Sequence, residues 1–298
     1  MRFTAFEQDN EVGIAVKDSA GELRGLTESN PEYPGSLDIL ISESVVNLSE
    51  AWAGLLNAPR IYEEKIVYLP PIQNPSKIIC IGLNYVDHST ESGFEPPDYP
   101  TVFSRFASTL IGHKEDIFRP RQSEQLDFEG EIAAVIGRTC YKAKPENALD
   151  FVAGYSLFND VSVRDYQFKS PQWTMGKNFD GTGVFGPEFI TPEELPAGVK
   201  GIKIETLLNN TVVQSATTDD MIFDIATLIV ELSDVMTLVP GDIIVTGTPA
   251  GVGMARDPQL WMKPGDIIEV RVEHFGTLSN KVVMQPKSRY GEQSTNAH

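Results

Sequence analysis

One acidic stretch constrains this chain more than any other: Leu126-Asp127-Phe128-Glu129-Gly130-Glu131-Ile132-Ala133-Ala134-Val135-Ile136-Gly137. Its second half is apolar and β-branched and closes on a glycine, which predicts a buried strand. Side chains alternate along a strand, so Asp127, Glu129 and Glu131 are expected on one side. Phe128, Ile132, Ala134 and Ile136 then fall mostly on the other. Successive same-face residues lie roughly 6.6–7 Å apart. Three acids so spaced in a shielded interior would raise one another's pKa or unfold the strand. A bound Mg²⁺, Mn²⁺ or Ca²⁺ removes that conflict, because carboxylate oxygens are the ligands these ions prefer. An acidic face turned to water satisfies the same alternation, so the segment alone leaves both readings open.

With 298 residues and 41% hydrophobic content, the chain can build a large core. A main domain of residues 71–286 is expected, with a small N-terminal domain over 1–70 and a polar tail over 287–298. The formal net charge of −18 offers no basic face for phosphates and argues against a nucleic-acid partner. The same field repels anionic substrates, so an anionic ligand would need a metal or local cations to recruit it. The two cysteines, Cys80 and Cys140, lie beside apolar runs and are expected as reduced core residues. Met1–Glu7 has no apolar secretory run, and no stretch of about 18 apolar residues occurs. A soluble, cytoplasmic protein without a membrane partner is the expectation.

Two short strands at the start, helices over Ser36–Ile41 and near Leu48–Leu56, and the Pro70-Pro71 pair define the first segment. Lys77–Gly82 reads as a buried strand running into a short helix that Asn84 caps and Gly93 ends. His88 and Glu91 stand at i and i+3 on it. A carboxylate beside an imidazole raises its basicity and fixes its tautomer, as a general base requires, and a surface pair has the same spacing. Phe94–Pro100, rich in proline, is expected as a movable lid. His113 reads as a turn residue.

Val152–Asp160 predicts a strand that delivers Asp160 at its end, where ligands collect. Arg164 follows on a short polar turn or helix, to pair with a carboxylate or bind substrate. Thr174–Gly183 is glycine-rich around Lys177 but lacks the GxxxxGK[ST] phosphate-loop spacing, so it reads as a tight loop supplying one positive charge. Asn209-Asn210 marks a hairpin. Thr217–Asp220 is expected to cap a helix carrying an apolar stripe of Met221, Ile222, Ile225, Leu228, Ile229 and Leu232. Two Pro-Gly-Asp turns, at 240–242 and 264–266, feed strands. Gly247, Gly251 and Gly253 around Thr248 allow close backbone approach to a ligand.

Taken together, Gly82-Leu83-Asn84-Tyr85 with His88 and Glu91, the Asp127–Glu131 strand, Phe158–Gln167, Gly176–Gly181 and Thr246–Gly253 resemble the fumarylacetoacetate hydrolase family from about residue 75 to 285. The resemblance implies an α+β, mainly β fold, a rolled β-sandwich catalytic domain beside a small N-terminal α/β domain, and a homodimer. It implies that Glu129, Glu131 and Asp160 hold Mg²⁺, or Mn²⁺ or Ca²⁺. It implies a water-activating His88–Glu91 pair, with Lys177 supporting a developing oxyanion. Arg164, Gln167, Gly247 and Thr248 would position a small-molecule oxo acid. Arg105 departs from the family pattern, where many members carry lysine. Metal-dependent hydrolysis of a C–C bond in a β-diketo acid of the acylpyruvate type is the expected activity. Oxaloacetate decarboxylation, keto–enol tautomerisation or 2-oxo acid hydration is the alternative within the family, and a non-catalytic binding protein the alternative outside it.

Overall fold

A computed structural model describes residues 1–43, 46–91 and 97–287, the side chains of Val46 and of residues 88–90 excepted. The described residues are mainly β. The path of the largest sheet runs 23–27, 11–17, 2–8, 183–190, 152–160, 130–136, 243–245, 78–82 and 101–105. A five-stranded sheet follows the order 211–217, 203–208, 267–272, 276–284 and 116–119. Six α-helices are described: α1 (Leu37–Glu43), α2 (Val46–Leu55), α3 (Val86–Glu91), α4 (Arg164–Gln167), α5 (Thr174–Lys177) and α6 (Ile225–Val235).

The Gly130–Ile136 strand is buried along its whole length, as its unbroken apolar run requires of a strand covered on both faces. Ile132, Ala134 and Ile136 share a core with Ile204, Val270, Leu278 and Val282 of the smaller sheet and with Leu228 and Ile229 of α6. Ala133 and Val135 point the other way, into a core shared with Phe158, Phe185 and Phe189 and with Phe3, Ile14, Leu37 and Leu48. Each fully buried aliphatic side chain contributes about 1.5–3 kcal/mol. One sheet and one core therefore cross the expected domain boundary at residue 70. Arg2 and Phe3 pair with Ile190 and Phe189.

The Pro-Gly-Asp turns form as expected. Asp242 accepts the Val239 N–H at 2.7 Å and Asp266 the Lys263 N–H at 2.8 Å, and strands 243–245 and 267–272 follow. Asn209 and Asn210 take positive φ at the hairpin, the conformation asparagine tolerates best after glycine. Two expectations are corrected. Thr217 caps only a 3₁₀ turn, Thr218–Asp220, and α6 begins at Ile225 with Asp224 as its cap. The reason lies in Asn84, whose backbone carbonyl takes the Ile222 N–H (2.7 Å) and whose Oδ1 takes the Phe223 N–H (2.8 Å). Met221 and Ile222 are thus drawn out of the helix. Asn84 itself caps no helix among the described residues: it is fully buried, and its amide donates to Phe223 and Thr246 carbonyls.

Candidate active site

Antiparallel register builds the acidic centre. Gly130 pairs with Asn159 and Glu131 with Phe158, which sets Glu129 opposite Asp160. The Asp160 N–H donates to the Glu129 carbonyl at 2.9 Å, and Asn159 Oδ1 accepts the Glu129 N–H at 3.0 Å. Carboxylate oxygens of Glu129, Glu131 and Asp160 lie within 4.8 Å of one another. Asp127 does not join them. The strand breaks at Phe128-Glu129, and Leu126-Asp127 pairs instead with Ser162-Val163. Asp127 accepts N–H groups of Gly253 (2.7 Å) and Met254 (3.0 Å) and the Arg164 Nε–H (2.8 Å). The expected face of three alternating acids is corrected to two of them plus Asp160.

Cations surround this centre. Lys177, 1% exposed, places Nζ 2.6 Å from Glu129 and 2.7 Å from Asp160. The same ammonium lies 5.0 Å from the Phe103 ring centroid, within cation–π range. Arg164 pairs with Glu129 at 2.7 Å and donates to Gln167 Oε1 at 2.8 Å. Arg105 pairs with Asp160. Burial alone would weaken the Arg164 charge, but Asp127 and Glu129 outweigh burial and hold the guanidinium protonated. Glu131 differs. Burial first, then the charges of Asp160 and Glu129, push its pKa well above the carboxylate range. Its partner is the Gly247 N–H at 2.5 Å, and it forms no ion pair among the described residues.

Glu129, Glu131, Arg164, Gln167, Lys177 and Thr248 line a small cavity of about 30 Å³, room for an ion or a water or two. Ile81, Phe103, Phe168, Trp173 and Met254 supply its apolar lining. Two one-turn helices bring in Arg164 and Lys177. Gly176 of α5 sits directly against the Gln167 backbone of α4, where a Cβ would collide. Gly247 has φ +96°, a conformation glycine adopts without steric cost, and so turns its N–H to Glu131.

Residues 77–283 match the family model for the fumarylacetoacetate (FAA) hydrolase C-terminal region. The chain belongs to the fumarylacetoacetate hydrolase family. Human mitochondrial oxaloacetate tautomerase FAHD2A is 35% identical over 95% of this chain and 92% of its own length. The rat mitochondrial oxaloacetate tautomerase Fahd2a is 37% identical over the same shares. Among solved structures, a fumarylacetoacetate hydrolase from Exiguobacterium antarcticum superposes with a TM-score of 0.82 at 34% identity, covering 96% of this chain and all of that one. Maleylpyruvate hydrolase from Sphingobium superposes with a TM-score of 0.78 at 26% identity over the same shares. Family members are enzymes acting on oxo acids.

Within this family fold, the residues expected at the site stand as follows. Glu129, Glu131, Asp160, Lys177, Arg164, Gln167 and Thr248 all line or adjoin the cavity. The Thr248 hydroxyl donates to the Gly130 carbonyl at 3.0 Å and accepts from Gln214 at 2.8 Å, so it braces the acidic strand. Lys177 ends the one-turn helix α5, in place of the expected tight loop. Both carboxylate oxygens of Glu91 lie 2.9 Å from the Gly251 N–H, which ties α3 to the glycine-rich turn. The side chain of His88 lies outside the described residues, as do Gly93 and the first part of the expected lid, so the dyad's geometry is not described. Sequence reasoning missed Asn159, Gln214 and the aromatic wall of Phe103 and Trp173. Asn159 had a signal in its place beside Asp160. Gln214 had none, because it reaches the site from a hairpin far along the chain.

Proposed function

We propose that this enzyme interconverts the keto and enol forms of a small 2-oxo dicarboxylic acid of the oxaloacetate type. The observation that carries the reading is the convergence of three buried carboxylates with Lys177 beside one cavity, which Glu129, Glu131 and Lys177 line. Relatives named as oxaloacetate tautomerases, matched along nearly their whole length, support the substrate class.

The donors fit a hard divalent cation: three carboxylates within reach of one centre, one of them, Glu131, without an ionic partner among the described residues. Glu129, Glu131 and Asp160 would hold it. When bound, Mg²⁺ or Mn²⁺ supplies Lewis acidity to the oxygens of a 2-oxo carboxylate. Charge bookkeeping favours the same arrangement. Asp127, Glu129, Glu131 and Asp160 face Arg105, Arg164 and Lys177, which leaves one negative charge with all groups ionised. With a divalent ion held by these acids, the centre would carry net positive charge and would attract an anion despite the chain's net −18.

In this reading Arg164 and Gln167 orient the substrate carboxylate, and the Lys177 ammonium favours negative charge on the 2-oxo oxygen as the C3 proton leaves. His88, backed by Glu91, takes that proton from C3 and delivers it to the 2-oxo oxygen to give the enol, and the reverse transfer restores the keto form. The apolar wall of Phe103 and Trp173 limits water at the reacting carbons. Cleavage of a C–C bond by the same groups is the second reading, favoured by the structural likeness to maleylpyruvate hydrolase. It requires His88 to activate water in place of a C–H bond.

The test follows the ultraviolet decay of enol oxaloacetate with Mg²⁺ or Mn²⁺ present, alongside fumarylpyruvate cleavage. Enol–keto interconversion should be accelerated, and Lys177→Met should lower that acceleration by about 10²–10³-fold. An unchanged enol decay together with efficient fumarylpyruvate cleavage sinks the tautomerase reading in favour of hydrolysis.

A further inference from the structure

Arg105 ends the Thr101–Arg105 strand at the edge of the largest sheet, and its side chain is wholly buried. Each of its three guanidinium nitrogens has a partner. Nε donates to Asp160 Oδ1, Nη2 to the Val161 carbonyl and Nη1 to Thr182 Oγ1, the last at 3.2 Å. Thr182 in turn donates to the Phe179 carbonyl at 2.5 Å. The other Asp160 oxygen, Oδ2, takes the Lys177 ammonium. Both carboxylate oxygens of Asp160 are therefore held, one by Arg105 and one by Lys177.

We propose that Arg105 is a positioning residue that fixes the carboxylate plane of Asp160 for a divalent ion and locks it to the 178–182 loop that follows Lys177. The proposal rests on reading Glu129, Glu131 and Asp160 as the metal-holding set. A charge alone does not account for the arrangement. Lysine at this position would present a single ammonium to Asp160, whereas the planar fork reaches the strand end, the next carbonyl and the loop at once. Groups that orient metal ligands from behind are worth about 10–100-fold in metal affinity or activity. The loop contact has a further consequence: the separation between Asp160 and Lys177 is set by one rigid group and not by two independently mobile ones.

The experiment is Mn²⁺ titration of the full chain by calorimetry, with electron paramagnetic resonance of the bound ion. Arg105→Lys keeps the charge and loses the fork. It should raise the Mn²⁺ Kd about 10–100-fold and change the spectrum of the bound ion. Thr182→Val removes only the loop arm and should raise the Kd by about tenfold or less, in the same direction. A merely structural arginine would lower the melting temperature of both variants and leave Kd and spectrum at wild-type values, which overturns the proposal. Should Arg105→Lys fail to fold, Thr182→Val decides alone, and a wild-type Kd in it is an overturning result. Wild-type protein that binds no Mn²⁺ removes the metal reading itself. Absence of oxaloacetate turnover with Mn²⁺ binding intact removes only the proposed reaction.

Discussion

At the scale of single residues, burial decides which charges matter. Lys177, Arg164 and Arg105 are cations taken out of water, and each is held by at least one carboxylate at ion-pair distance. Partners of that kind are what make burying a charge tolerable. His113 shows the opposite treatment. It is 9% exposed, accepts the Ser279 N–H on Nδ1 at 3.0 Å and meets Tyr68 edge-on. Burial first, then the nearby Lys114 and Lys17 charges, against Glu63, pull its pKa down to about 4. The unfolded imidazole titrates near 6.5, so between about pH 6.5 and pH 4 the unfolded chain binds more protons than the folded one. Stability from this group is complete above that window and declines as pH falls through it, by on the order of 3 kcal/mol. Denaturant titrations at several pH values should show a steeper acid loss in wild type than in His113→Gln. Parallel curves would remove His113 as the cause. The sequence placed His113 in a turn but carried no sign of this burial, since Ser279 and Tyr68 approach it from separate strands.

Among elements, the short helices α4 and α5 are the ones that tertiary structure creates. A single turn does not recover the cost of helix nucleation, so neither would persist alone. They form because Arg164 is tied to Asp127 and Glu129 from one side and α5 lies directly on the backbone of Gln167 from the other. Gly176→Ala should push the two apart, destabilise the protein by about 1–3 kcal/mol and lower turnover more than tenfold by moving Lys177 off its carboxylates. Thermal melts together with steady-state kinetics read both effects; a normal melt with normal turnover would show that the contact yields freely. A one-turn helix has no repeating i, i+4 pattern, which is why Thr174–Gly183 reads as a loop in sequence. The strands were legible for the converse reason. Runs such as Ile132–Ile136 record their burial in residue type alone, and asparagine or Pro-Gly-Asp marks their turns.

For the whole molecule, the N-terminal segment is a structural part of the catalytic body. Strands 2–8, 11–17 and 23–27 extend the largest sheet, while α1 and α2 supply residues to the core on one of its faces. Without them Ala133, Val135, Phe158, Phe185, Phe189 and Val245 would lose their cover. A chain beginning at residue 71 should accordingly be insoluble or aggregate, as judged by size-exclusion chromatography after expression. A soluble, monomeric product with a cooperative melt would show that the expected boundary marks an independent unit after all. The family, by contrast, was legible from five short motifs in order, because the chemistry of the site demands particular residues at particular strand ends.

The chain's linear pattern was enough to determine the buried strand, the hairpin and the acids worth considering, each from neighbours a few residues apart where alternation and turn chemistry act. The mainly β class and the choice of Glu129, Glu131 and Asp160 as one donor set came from the resemblance to the family. Only the folded structure decided that Asp127 leaves the acidic set, that Arg105 reaches Asp160 across 55 positions and that Glu91 meets Gly251 across 160. Those outcomes depend on the register between distant strands and on steric room at single glycines, and both come into being only when the layers pack.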